Sequence, residues 1–586
     1  MMGRSTRATT TRARRAVHSG RLQRQSPASQ ADLSRILETT PSPRGKKAAS
    51  LDPESDEDVP AEVEEVKAAL SRPLPVNSDY LPLPWRGRLG YACLCTYLRT
   101  ANPPVFSSRT CRISSILEHR HPLSDPSQPF HASKNRPDQS QPPEVRRGQA
   151  FVERLGLANA RDIVKMLRWN DRYGIKFMRL SSEMFPFASH PTYGYKLAPF
   201  ASEVLADAGR VAAELGHRLT MHPGQFTQLG SPRKQVIESS IRDLEYHSEL
   251  LQLLKLPPQQ NRDAVMVLHM GGVFGDKKAT LDRFRENYKN LSQDIKNRLV
   301  LENDDVSWSV HDLLPICEEL NIPLVLDFHH HNIVFDADKV REGTLDIMQL
   351  FDRIKATWTR KGITQKMHYS EPLPDAITPR QRRKHSPRVS RLPPCDPTMD
   401  LMIEAKDKEQ AVFELMKIFK LPGHERINEM IPHVREDENP VWKPPKRNKK
   451  SGDFMDLSKL SPPPPLIPEE EVSMGGPHGR VYWPPGKEDW LRPPKRTASR
   501  KAKTSPQTTS IDLETTDHVK QDVQSEENSA EKPRTSARKR KMPATDDLSV
   551  DGTKSLSDLT ETSSPGPPAP RRSQRARRVT SYTDQL

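Results

Sequence analysis

Between about residues 85 and 420, short apolar runs alternate with longer stretches in which apolar positions recur every three or four residues. The short runs are 89–94, 175–180, 219–221, 264–268, 299–301, 323–326, 363–367 and 401–403. Their length and apolar character predict buried strands. The longer stretches 144–173, 200–215, 234–254, 280–297, 309–320, 344–361 and 406–419 predict helices, with Gly216 placed to cap the second. Strand and helix alternate throughout, which implies parallel strands joined by crossover helices, an α/β TIM (β/α)8 barrel.

The strand ends are chemically unusual. The later runs lead, in order, into His222, His269, Glu302, Asp327 (with His330 three residues on), His368 and Glu404. In a barrel of this kind the catalytic groups gather on the rim formed by the carboxyl ends of the strands. A single histidine there is commonly a hydrogen-bonding residue; six consecutive strand ends bearing His, Asp or Glu predict a metal site. All donors are nitrogen or oxygen, a set suited to Mn²⁺, Zn²⁺, Fe²⁺ or Mg²⁺. They are too many for one ion, so two or three are expected, with Glu302 as the bridging carboxylate. His329 and His331 flank His330; strand alternation, if the strand continues that far, sets His330 on the opposite face from both.

Composition restricts the folded part. Of 586 residues, 55 are proline and only 34% are hydrophobic, so much of the chain cannot bury a core. Residues 1–80 are expected to be a disordered tail, 85–420 the barrel, and 421–586 a second disordered tail rich in Pro, Lys and Arg. The first 25 residues carry seven arginines and no acid, as a mitochondrial transit peptide does. Basic clusters at 532–541 and 571–578 have nuclear-import character. The expected location is the nucleus, with the mitochondrion as the alternative. A formal charge of +15 favours a polyanionic partner. Five cysteines without repeated spacing exclude a disulfide framework or zinc ribbon. No run of 18 apolar residues exists, so no membrane partner is expected.

The motifs Arg88-Leu89-Gly90-Tyr91, Phe177-Met178-Arg179-Leu180-Ser181-Ser182, His222-Pro223-Gly224-Gln225, Leu268-His269-Met270-Gly271-Gly272, Leu301-Glu302-Asn303-Asp304-Asp305, Asp327-Phe328-His329-His330, Lys366-Met367-His368 and Met402-Ile403-Glu404-Ala405-Lys406 span the whole predicted barrel. Together they resemble the UV-damage endonucleases, a family related in fold to endonuclease IV, and the long tails are similar to those of a fungal-type member. The resemblance implies a metal-dependent endonuclease that nicks double-stranded DNA immediately 5′ to cyclobutane pyrimidine dimers and (6-4) photoproducts. It implies two or three divalent ions, Mn²⁺ foremost, with Zn²⁺ and Mg²⁺ as alternatives.

By position, the resemblance places His222, His269 and Glu302 on one metal and lets Glu302 bridge to a second held by Asp327, His368 and Glu404. It gives His330 and His385 to a third. Glu302, Lys366 and His385 are the expected catalytic residues, Lys366 sharing a strand face with His368. The resemblance also implies that the loop of Gln225 and Phe226 enters the duplex at the lesion, where weakened stacking makes entry cheapest. Tyr91 is expected as a second probe, and His190 as a DNA-facing residue of the rim. Arg383 and Lys384, with Arg380, Arg382 and Arg388 of the Pro- and Arg-rich loop 369–397, are expected to position the DNA backbone. A monomer is expected. The competing readings are an abasic-site endonuclease of the endonuclease IV type, a sugar isomerase or epimerase on the same barrel, and an inactive DNA-binding barrel.

Overall fold

A computed structural model describes residues 61–71, 86–342, 345–427, 437–439 and 465–476. The Arg-rich first 25 residues and the basic clusters at 532–541 and 571–578 lie outside the described residues.

Eight parallel strands follow one another in chain order: β1 (Leu89–Ala92), β2 (Phe177–Arg179), β3 (Arg218–Thr220), β4 (Met266–His269), β5 (Leu299–Glu302), β6 (Leu324–Val325), β7 (Lys366–Tyr369) and β8 (Asp400–Ile403). Hydrogen bonding gives a five-stranded sheet, β3-β2-β1-β8-β7, and a three-stranded sheet, β4-β5-β6. Single parallel bridges join the two at both seams, Met221 to Met266 and Asp327 to His368. Every strand therefore has two neighbours and the sheet closes, the (β/α)8 architecture expected from the alternation.

The crossover helices take up the predicted stretches with altered ends. Val145–Arg172, Ala198–Glu214, Lys234–Leu253, Val310–Leu320 and Glu409–Ile418 are each one helix. The expected helix at 280–297 is two, Lys277–Lys289 and Gln293–Arg298. The break comes where Ser292 accepts from the Ile295 amide and caps a fresh N-terminus. The stretch 344–361 likewise divides into a 3₁₀ turn, Asp346–Leu350, and the helix Phe351–Thr359. Gly209 permits close packing in the helix layer: a Cβ there would lie 1.7 Å from the Leu254 carbonyl oxygen.

Strand alternation sorts the side chains. Tyr91 on β1 belongs to the main core between sheet and helices, whereas Ala92, Phe177 and Met402 form a separate small cluster. Arg218 Nη1 and Arg88 Nη1 each pair with Asp400 Oδ2 at 2.9 Å near the amino ends of their strands. The acids and imidazoles of the strand ends occupy the opposite rim.

Both expected tails contain ordered pieces. Within 1–80, Val63–Ser71 is a helix. It forms a compact unit with residues 375–384, in which Glu65 pairs with Arg380 at 2.8 Å. Beyond 421, the Tyr97 hydroxyl donates to Asp437 at 2.7 Å and the Tyr173 hydroxyl to the Met474 carbonyl at 2.9 Å. Within these segments, the described pieces 61–71, 437–439 and 465–476 each have a side chain or carbonyl partnered elsewhere in the sequence. Among the described residues, no helix is long and apolar enough to cross a membrane.

Candidate active site

The site is built around Glu302, the last residue of β5 and fully buried. His222 Nε2 and His269 Nε2 each lie 3.1 Å from its Oε2, and His368 Nδ1 lies 2.7 Å from its Oε1. His269 ends β4 in register opposite Glu302, so adjacent parallel strands deliver the pair side by side. Two groups of donors have ligand atoms within 4.8 Å of one another, His222/His269/Glu302 and Glu302/Asp327/His368, and Glu302 is common to both. Glu404 follows β8 with its Oε1 3.3 Å from His368 Nδ1. His330 Nδ1 stands 3.7 Å from Asp327 Oδ2 and 3.8 Å from Glu302 Oε1. The His385 ring centroid is 6.2 Å from that of His330 and 4.8 Å from that of His329. All eight residues expected as metal donors therefore meet on one rim.

The donor set fits divalent cations. His222 Nδ1 lies 3.0 Å from the Pro223 carbonyl, His330 Nδ1 2.9 Å from that of Asn303, and His385 Nδ1 2.6 Å from that of Glu404. A carbonyl can only accept, so each Nδ1 carries a hydrogen, and in the neutral ring it is Nε2 that presents the lone pair. Backbone contacts of this kind orient metal-binding imidazoles. A neutral His222 then sets a lone pair against a carboxylate oxygen at 3.1 Å, an arrangement that needs a proton or a cation. Burial disfavours the proton by lowering the His222 pKa. Asp327 Oδ2 is buried without a hydrogen-bond partner, a second place where a cation would satisfy the fold.

Electrostatics distinguish the acids. Burial pushes Glu302 up, yet the charge of His368 and His269 beside it holds it well below the ordinary carboxylate range. Burial opposes ionisation of Glu404 too, but Arg179 keeps it low. Asp327 has weaker compensation and burial carries it up to about 7. Burial also lowers Lys366, to about 7, with Glu302 opposing and Arg218 and Arg179 assisting. Its amine contacts His368 Nε2, as expected for residues two apart on one strand face.

His330 does not sit on a strand. β6 stops at Val325, and Phe328–His331 is a helical turn whose N-cap Asp327 accepts from the His330 amide at 2.9 Å. Alternation thus cannot assign the three histidines; the helical turn sends His330 toward Glu302.

The lesion-facing residues divide. Phe226 is 49% exposed at the tip of the loop after His222, and Gln225 beside it is half-buried. Tyr91 is fully buried and donates its hydroxyl to Asn170 Oδ1 at 2.7 Å. The expectation that Tyr91 probes DNA is corrected, because β1 turns its side chain toward the helix layer. His190 is half-buried and accepts at Nδ1 from the Thr192 and Tyr193 amides at 3.0 and 3.2 Å, organising its own loop. Arg383 is the C-cap of the short helix Pro379–Arg382 and only 9% exposed, so it is not the displayed cation expected; Lys384 beside it is half-buried. Arg388 is likewise committed, to Asp407 at 2.8 Å and Glu414 at 3.0 Å.

Two functional neighbours went unassigned in the sequence. Arg179 ends β2 and pairs with Glu404, and Asn303 clasps Asp327 by donating to its carbonyl at 3.0 Å and accepting from its amide at 2.9 Å. Both lie inside recognised motifs, and Arg179 at a strand end was the available signal.

A family model described as UV-endonuclease UvdE matches residues 87–436. The chain belongs to the UV-endonuclease UvdE family. With the family comes its activity class, a UV-damage repair endonuclease. The UV-damage endonuclease of Neurospora crassa is 66% identical over 452 residues, covering 73% of this chain and 69% of the relative. That of Schizosaccharomyces pombe is 56% identical over 341 residues, 58% of this chain and 52% of the relative, so the match spans about half of that protein. Among solved structures, SacUVDE aligns at 26% identity and a TM-score of 0.45, over 57% of this chain and 98% of its own.

Proposed function

We propose that the chain incises double-stranded DNA immediately 5′ to cyclobutane pyrimidine dimers and (6-4) photoproducts, leaving a 3′-hydroxyl and a 5′-phosphate. The observation that carries this reading is the convergence of His222, His269 and His368 on one buried carboxylate, Glu302, at 3.1, 3.1 and 2.7 Å. His222, His269 and Glu302 would hold one divalent cation, Glu302 with Asp327, His368 and Glu404 a second, and His330 with His385 a third, Mn²⁺ foremost. When bound, such cations supply Lewis-acid polarisation of a phosphodiester and a water acidic enough to act as nucleophile near neutral pH.

The remaining work falls to the protein's own groups. The carbonyls of Pro223, Asn303 and Glu404 fix three imidazoles in the tautomer that presents Nε2. Arg179 keeps Glu404 ionised in the absence of bulk water. Lys366, lowered by burial to about 7, can hold or release a proton at Nζ beside His368. Phe226 offers an exposed ring to unstacked bases on the same rim. Damage would be read as local deformability rather than base identity. The basic clusters at 532–541 and 571–578 support nuclear delivery, and the acid-free first 25 residues a mitochondrial share.

Incubation of the purified chain with UV-irradiated and untreated plasmid tests the reading. Nicks are expected only in irradiated DNA, only with Mn²⁺ and not with chelator, and end mapping is expected to place them directly 5′ to the photoproducts. Equal nicking of untreated plasmid, or nicking that survives chelation, would overturn it.

A further inference from the structure

Three consecutive rim loops each leave one large apolar side chain in the open: Phe226 after β3 (49% exposed), Phe274 after β4 (40%) and Val306 after β5 (47%). The strands are neighbours, through the Met221–Met266 bridge and the β4–β5 ladder, so the three loops stand side by side on the rim that carries Glu302.

The row is braced. Asp304 Oδ1 accepts from the amides of Val306, Ser307 and Trp308 at 3.0, 2.6 and 2.9 Å. Trp308 Nε1 donates to the Gly271 carbonyl at 2.6 Å, tying the β5 loop to the β4 loop. Gln228 Nε2 donates to the Gln225 carbonyl at 2.9 Å, and a Cβ on Gly271 would lie 2.7 Å from the Gln228 side chain. The loops after β3 and β4 are thus in contact.

Phe274 is the anomaly. Its φ is +51, a conformation costly for a bulky aromatic residue and free for glycine. Its ring lies over Gly272, where an added Cβ would be 3.2 Å away, and Gly275 follows at φ +92. Strain of this kind concentrates at functional sites. Here the fold gains little in return, because the ring stays substantially exposed. The loop holds an aromatic face toward solvent five residues beyond His269.

We propose that Phe274 is a second DNA-stacking side chain, gripping the distorted nucleotides together with Phe226 while Val306 extends the apolar row. This rests on the damaged-DNA reading of the site. Base–aromatic stacking tolerates any sequence, and apolar wedges enter steps that are already weakened. Those are the demands of recognising a distortion rather than a base.

The test uses the full chain and a duplex bearing one thymine dimer, with 2-aminopurine opposite the lesion. Binding is measured by anisotropy with chelator present, and single-turnover nicking with Mn²⁺. Phe274→Gly is expected to weaken binding about tenfold or more and to reduce the 2-aminopurine signal, with a thermal midpoint within about 3 °C of wild type. Phe274→Tyr is expected to retain wild-type values. Phe274→Gly binding and nicking as wild type would overturn the proposal, and so would Phe274→Tyr failing as badly as Phe274→Gly. A large fall in the midpoint of Phe274→Gly would also overturn it by showing that the ring serves packing. Failure of the unmutated chain to nick the dimer duplex would instead bring down the parent reading, and this one with it.

Discussion

Arg179 and Glu404 form an ion pair in which neither side chain is more than 5% exposed, and they are 225 positions apart in the chain. The pair is where barrel stability and site chemistry meet. Removing one member of a buried pair strands the other charge, so Arg179→Ala is expected to cost about 3–5 kcal/mol. Arg179→Lys keeps the charge without the forked geometry and is expected to cost less. Urea denaturation of the two variants checks this; equal losses would mean that the forked guanidinium, not the charge alone, is what the site requires.

Glu302 touches three imidazoles, so its loss is expected to be the most damaging at the rim. Glu302→Gln is expected to abolish nicking and to weaken Mn²⁺ binding by more than the about 10–100-fold typical of residues that merely support a metal ligand. Binding to damaged duplex is expected to persist in part, because Phe226 lies outside the cluster. Calorimetry with Mn²⁺ and a nicking assay read the two effects separately, and wild-type cleavage in this variant would remove Glu302 from the metal assignment.

His217 sets a pH limit away from the rim. It is fully buried, sits 3.3 Å from the Asn170 amide nitrogen, and burial takes its pKa down to about 3. An unfolded histidine titrates near ~6.5, so below that pH the unfolded chain gains a proton that the folded chain refuses. The contribution is intact above about pH 6.5 and declines by about 1.4 kcal/mol per unit as pH falls toward 3. His217→Gln is expected to shrink the stability difference between neutral pH and a pH 1.5 units lower by about 1.3 kcal/mol, because only the last unit of that interval lies below the unfolded pKa. Denaturation at the two pH values measures it, and an unchanged difference would exonerate His217.

The segment 465–476 follows the end of the family match at 436. It fastens to the barrel through Arg172–Glu471 at 2.6 Å and the Tyr173–Met474 bond, and its Gly475 amide donates at 2.9 Å to Asp437, which in turn accepts from Tyr97. A chain ending at 436 is expected to nick damaged DNA but to melt earlier. Tyr97→Phe alone is expected to cost about 1–3 kcal/mol, since it deprives the buried Asp437 carboxylate of a donor. Calorimetric midpoints decide the matter; identical values for the full and shortened chains would deny the segment any stabilising role.

The order of residues determined the barrel and the rim on its own. Short apolar runs alternating with helical stretches leave few topologies, and parallel strands place every carboxyl end on the same side. His222, His269, Glu302, His368 and Glu404 needed nothing more to be nominated. Tertiary structure decided what depends on rotation about a strand or on partners distant in sequence. Tyr91 turns inward because β1 packs against the helix carrying Asn170, and His330 reaches Glu302 because β6 stops early and Asp327 caps a helical turn. Arg179 acquires its role only when β2 closes near β8. The exposure of Phe274 follows from a left-handed backbone and a tryptophan anchored one loop away, neither of which is written in local pattern. Contacts of that kind are set by packing, and packing is a property of the closed sheet rather than of any one segment.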